Sequence, residues 1–259
     1  MDPAAAGWPL AAVPGLVQGV RAVVSGQLSR ARAARGPLLF VATLQSVGIL
    51  LLLRGVVDEH NSATARQVVA GATVLVVGYV ALNLLAQRFG LLRAGGGLDY
   101  YVALPVPATA VVLGTALSYA TFTVPGAVVT AMVGVGLYGL PLTHLWVLVL
   151  VLPLAGASLA GLGACLGLLA PRPELATAAG QLGMTVVLFL SIVPARRLPD
   201  AVRPIRALVP STYAADAFAD ALGPGLHAGT LAADLAVCLA VAVATLAAGG
   251  ACLRRAVRK

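Results

Sequence analysis

LWVLVLVLPLAGASLAGLGACLGLLA, residues 145 to 170, runs longer than the ~20 residues that carry a helix across a ~30 Å hydrocarbon core, and it holds no charge. A barrel strand would alternate apolar and polar residues over about ten positions, whereas this run is continuously Leu- and Ala-rich. Working outward, five more apolar runs lie at 37–57, 68–87, 108–140, 175–193 and 230–253. The sequence therefore predicts an all-α, polytopic membrane protein with six transmembrane helices. Its composition agrees: 60% of the 259 residues are hydrophobic and 10% are charged, with a mean hydropathy of +0.97. A soluble domain carries about 25% charged residues.

Six spans place both termini on one side, so the basic residues can be counted by side. With the termini inside, the cytoplasmic set is Arg21, Arg30, Arg32, Arg35, Arg88, Arg93, Arg172, Arg254, Arg255, Arg258 and Lys259, against Arg54, Arg66, Arg196, Arg197, Arg203 and Arg206 outside. Eleven against six favours cytoplasmic termini in a plasma membrane. A net charge of +8 could point to nucleic acid, but the charges are spread over short loops instead of one patch, which excludes that partner. Residues 1–14 lack the basic start of a cleavable signal peptide. Between residues 14 and 36, Leu16, Val17, Val20, Val23, Val24, Leu28 and Ala31 recur at helical spacing, with Gln18, Arg21, Ser25, Ser29 and Arg32 opposite. That pattern predicts an amphipathic helix on the cytoplasmic membrane surface, its arginines toward anionic lipid. It also reads as a solvated tail.

The connections differ in information. Residues 58–67 are a short polar loop, while 88–107, RFGLLRAGGGLDYYVALPVP, break at three glycines and then form a short amphipathic stretch ending at Pro105 and Pro107. A cytoplasmic segment with its own helix invites a partner, although an ordinary connector would fit as well. The third run, 33 residues, would reach ~50 Å, so it must tilt or break, and Pro125 lies near its middle as Pro153 lies in the fourth. Gly156, Ala160, Gly163, Ala164 and Gly167 predict close helix approach, as does the ridge Ala232, Ala236, Ala240, Ala244 and Ala248 in the last span. Residues 194–229 are too charged to span and too apolar to be free. Pro194, Pro199, Pro204 and Pro210 divide them, and Tyr213 to Leu222 reads as a short helix capped by Ser211 or Thr212. Two short helices in the outer leaflet before the last span are expected, with Arg196, Arg197, Arg203 and Arg206 facing headgroups or solvent.

Several chemistries lack material. A P-loop needs a lysine inside GxxxxGK[ST], and the one lysine here is Lys259. Among the spans only Asp234 offers a carboxylate for a proton relay, and it reads better as an interfacial group. His60, His144 and His227 stand singly, and Cys165, Cys238 and Cys252 lie within spans without metal spacing, which assigns no metal site and makes the cysteines packing residues. No catalytic constellation is visible.

Two stretches carry a resemblance. Gly95 to Leu117, GGGLDYYVALPVPATAVVLGTAL, resembles the coupling segment of the permease subunits of type-two ABC exporters, the drug and polyketide exporter class, with Asp99 where glutamate is common. Leu198 to Leu222, LPDAVRPIRALVPSTYAADAFADAL, is similar to the outer segment of that family, with Ser211 replacing the usual Leu. The order of parts along the chain resembles the same family. The resemblance implies two permeases, as homodimer or heterodimer, each docked on an ABC ATPase of another chain that binds the ATP and Mg, in a bacterial plasma membrane. It implies contact with the ATPase through Leu98, Asp99, Tyr100, Tyr101 and Leu104, and an outer gate that includes Val202, Ile205, Leu208 and Tyr213. A hydrophobic or amphiphilic cargo such as a drug or natural product is implied by the class. A permease for glycan or lipid-linked material shares the span plan, and a scaffold subunit without transport stays open as a reading from another class.

Overall fold

The structure, a computed structural model, describes residues 15–30, 35–55, 62–98, 107–193, 198–200, 202–225 and 227–257. Every regular element among them is helical: α1 Leu16–Arg30, α2 Arg35–Arg54, α3 Ser62–Ala94, α4 Ala108–Tyr138, α5 Leu148–Leu169, α6 Pro173–Ile192, α7 Arg203–Leu208, α8 Pro210–Ala221 and α9 Ala228–Val257. A 3₁₀ turn, Leu145–Val147, leads into α5.

Four of these helices are long and apolar enough to cross a membrane: α3, α5 with its leading turn, α6 and α9. The two limbs of α4, Ala108–Thr121 and Thr123–Tyr138, meet at 42° and make a fifth span if taken together. The bend has a covalent cause. Pro125 has no N–H to give to the carbonyl of Thr121, and its ring pushes that carbonyl away, so the helix opens one turn upstream. α2 runs over 20 residues, and its stretch Phe40–Arg54 is a shorter apolar helix among the described residues.

The bundle is arranged around α3, whose most apolar 18-residue stretch is 89% buried against 17% for α9. It packs on α4, α5, α6 and α8, with α2 beside it. Its helix does not end near residue 87, as the hydropathy predicts, but continues to Ala94 through a π-helical stretch, Tyr79–Leu84. The widened turn coincides with the glycines of α5. A Cβ on Gly163 would stand 2.6 Å from the carbonyl oxygen of Leu82, and one on Gly167 would strike that of Ala86. The two backbones touch where only hydrogen fits. Within the π stretch Asn83 is buried and accepts a hydrogen bond from Gln87 at 3.0 Å.

Contacts within the chain select which face of α1 and of α9 is buried. Along α1 the buried line is Gly19, Val23 and Gln27, while Leu16 and Val17 are 48% and 72% exposed. The reason is α4: Val23 sits over Gly114, where an added Cβ would lie 2.7 Å from the valine Cβ, so a docking contact selects the face. On α9 the alanine ridge, Ala232, Ala236, Ala240, Ala244 and Ala248, is exposed throughout. The buried face is Leu231, Cys238, Ala242, Gly249 and Leu253 instead, lying mainly along α5.

Candidate functional site

Two polar constellations that join different helices lie at the two ends of α3. At its first turns Gln67 is 8% exposed, and its Nε2 donates to the backbone oxygen of Ser191 at 2.9 Å and to Oδ1 of Asp216 at 3.0 Å. Asp216 lies on α8 and accepts a second, charged bond from Arg206 on α7 at 2.5 Å. The Arg206 side chain is 12% exposed, and its Nε is buried without a partner among the described residues. One carboxylate thus ties α7, α8 and α3 together, and in apolar surroundings such a charge pair resists separation.

This corrects the expectation that Arg206 faces headgroups. The short helix α7 turns its guanidinium inward, and its apolar residues Ile205 and Leu208 are 51% and 81% exposed. Three residues apart, they share the opposite face. Val202 and Tyr213 are half-buried, and the Tyr213 hydroxyl donates to the backbone oxygen of Ala207 at 3.0 Å. All four residues assigned to the gate therefore stand on one hairpin.

The helix cap is also corrected. α8 begins at Pro210, whose missing N–H costs nothing at a first helical position, and neither Ser211 nor Thr212 caps it. Ser211 accepts a hydrogen bond from Ser191 Oγ at 3.1 Å, and Thr212 Oγ1 donates to the backbone oxygens of Val209 at 2.7 Å and Arg206 at 3.0 Å. The hydroxyls fasten the joint between α7 and α8 and hold the hairpin on α6.

At the other end of α3, Arg93 reaches across to the C-terminus of α5. Its guanidinium donates to the carbonyl oxygens of Leu168 at 2.7 Å and Ala170 at 2.8 Å. A helix leaves its last carbonyls without intrahelical partners and carries partial negative charge there, so a cation in this position satisfies both demands. Immediately beyond, the glycines make a turn: Gly95 N–H bonds to the oxygen of Leu91 at 3.0 Å, and Gly96 adopts φ +69°, a left-handed value that favours glycine. Leu98 follows, only 5% exposed and part of this chain's own core, so it anchors the segment internally. Asp99, Tyr100, Tyr101 and Leu104 lie outside the described residues.

Gln67, Arg93 and Asp216 escaped the sequence reading as site residues. The signal for Gln67 was its isolation as an amide at the edge of an apolar run, and for Arg93 its position just before the glycine turn. Asp216 could be read from the YAADAFADAL stretch only as a surface carboxylate. Cys165 and Cys252 are free thiols with sulfurs 3.8 Å apart, and Cys238 is free and buried.

Comparison with known proteins gives these ends a context. No curated protein matches the chain. A family model described as ABC-2 type transporter matches residues 19–222, from within α1 to the residue after α8, so both ends of α3 and the whole hairpin fall inside it. More than half of the chain lies in that match, and this multi-pass membrane protein belongs to the ABC-2 type transporter family as a permease component.

Proposed function

We propose that the chain is the permease subunit of an ATP-driven exporter, two permeases working with two copies of an ABC ATPase that binds ATP and Mg. The cargo is a hydrophobic or amphiphilic small molecule such as a drug, antibiotic or natural product. In this reading α2 is the first of six spans, α1 lies at the cytoplasmic surface, both termini are cytoplasmic in a bacterial plasma membrane, and the α7–α8 hairpin lies in the outer leaflet as a gate.

The observation that carries the reading is the continuity of α3. One helix, 33 residues and thus roughly 50 Å long, is bonded at its start to the hairpin through Gln67 and ends at the glycine turn that leads to the coupling segment. Force applied beside Leu98 reaches the hairpin along one continuous helix, while Arg93 fixes the same end to α5. These 259 residues hold no lysine that could serve a P-loop, so the ATP chemistry falls to a partner.

The test is purification of the tagged chain in mild detergent, with its associated subunits identified by mass spectrometry and assayed for ATP hydrolysis. An ABC ATPase should co-purify, and Tyr101→Asp with Leu104→Asp should remove it while the permease still inserts. Absence of any ATPase, or full coupling in the double variant, overturns the reading. Cysteines at Val202 and Leu208 in a cysteine-free background should react with an impermeant thiol reagent from outside, and differently when ATP is trapped. Labelling from the cytoplasmic side alone would overturn the orientation and the gate.

A further inference from the structure

Halfway along the bundle a cavity of about 250 Å³ lies between Val77 and Ala81 of α3, Ala120 and Val124 of α4, and Pro153 and Gly156 of α5. The two threonines on its wall spend their hydroxyls on their own helix, Thr121 on the oxygen of Leu117 at 3.0 Å and Thr123 on that of Tyr119 at 2.8 Å. The side chains therefore offer an entering molecule contact surface and almost no hydrogen bonding. Its mouth is on the flank of the bundle, where Leu117 and Val124 are 54% and 42% exposed.

An apolar cavity of roughly 150 Å³ inside a soluble protein stays dry and takes up benzene. This one offers water almost no hydrogen-bond partners, and left empty its lining would forfeit dispersion contacts on one side. The lining residues come from the middle of three long apolar helices, the depth of the hydrocarbon core. At that depth the abundant flexible apolar object is a lipid tail. We infer that the cavity is a binding site for one acyl chain of a membrane lipid, which enters sideways between α4 and α5.

The position gives such a chain leverage. Each wall is irregular beside it: the π stretch of α3 begins at Tyr79 between Val77 and Ala81, α4 bends between Thr121 and Thr123, and α5 contains Pro153. A chain lodged there lies against the bend of α4. This inference does not depend on the transport reading, since a lipid site can exist whatever the protein moves.

The experiment uses the full chain with the subunits that co-purify, in nanodiscs of phosphatidylcholine carrying a photoreactive diazirine on one acyl tail. After illumination, peptides spanning 113–124 and 152–157 should carry the label in excess over those around Leu239 and Val243, which are exposed on α9. Ala120→Phe occupies the space and should cut cavity labelling roughly tenfold, leaving the α9 labelling unchanged. Gly156→Ala is the milder variant, since its Cβ would meet Val77 Cγ1 at 3.6 Å, an ordinary contact, and it should reduce cavity labelling measurably without disturbing the fold. Cavity labelling no greater than on α9, or unaltered in Gly156→Ala, overturns the site. A silent cavity whose Leu117→Cys and Val124→Cys variants crosslink two copies of the chain would assign the mouth to a second permease instead.

Discussion

α5 and α9 carry the same kind of sequence signal, small residues four apart, and the structure treats them in opposite ways. On α5, Gly163 and Gly167 meet the backbone of α3 at distances a Cβ would not allow, and on the neighbouring face Gly161 meets the backbone of α9 at Thr245. On α9 itself the five alanines of the ridge are exposed, and its close contacts are made elsewhere, as where Gly250 lies against Thr109. The difference is one of chemistry. Alanine is the best helix former and is equally at home against lipid or protein, so its spacing selects nothing. Glycine costs about 1 kcal/mol in a helix, and at Gly161, Gly163 and Gly167 the backbone of another helix lies where a Cβ would stand, while at Gly48 and Gly136 nothing lies near.

The comparison is broken most directly at Gly163. Gly163→Leu should abolish the folded, monodisperse protein in detergent, because the carbonyl of Leu82 belongs to a helix backbone and cannot yield. Even Gly163→Ala should cost about 2 kcal/mol or more by overpacking, read as a lowered Tm in a detergent melt. Wild-type stability in both variants would mean that the two helices do not touch there.

The next largest effect belongs to the hairpin. Asp216→Ala leaves the guanidinium of Arg206 buried without its anion and takes a partner from Gln67. A fully buried pair broken this way costs 3–5 kcal/mol. With the Asp216 side chain 30% exposed, about 2 kcal/mol is the expectation, together with faster proteolysis between α7 and α8. The double variant Arg206→Leu, Asp216→Leu removes both charges and should recover much of the loss. A double variant as unstable as the single one would locate the defect in packing.

How much of this was legible follows from the same distinction. Continuous apolar runs fix helices in lipid because no other open structure satisfies the backbone there, so the helical, multi-pass class and the breaks at Pro125 and the glycine turn could be read directly. The extension of α3 to Ala94 could not, because Arg88 and Arg93 look like loop charges until Arg93 is seen on the carbonyls of Leu168 and Ala170. Arg206 misled for a related reason. A local sequence shows a charge but not the carboxylate ten residues on that folds back to meet it. Which part of the apolar face of α1 is buried depends on Gly114, about ninety residues away, and no periodicity within α1 contains that information.

Arg93 sets a smaller effect. Arg93→Ala removes two charge-assisted bonds to carbonyls that other groups or water can partly satisfy, so about 1–2 kcal/mol is expected in the melt. The sharper readout is hydrogen exchange: the last turns of α5 and the glycine turn after α3 should exchange faster, with the hairpin end unchanged. Uniform loss of protection would make Arg93 a general stabiliser instead of a local strap.

The smallest effect should come from the alanine ridge, and it tests whether exposure on α9 means lipid. Ala236→Leu and Ala240→Leu add apolar volume where the side chains are exposed among the described residues. Leucine is nearly as good a helix former as alanine, and acyl chains rearrange around it, so Tm should move by less than about 0.5 kcal/mol equivalent. If the ridge instead packed on a second copy of the chain, two added leucines would wedge that contact apart. The oligomer would then dissociate on gel filtration in mild detergent even though each chain kept its fold. Unchanged assembly and unchanged Tm together place lipid against α9. Dissociation would show that alanine spacing encodes contact after all, between chains where glycine encodes it within one.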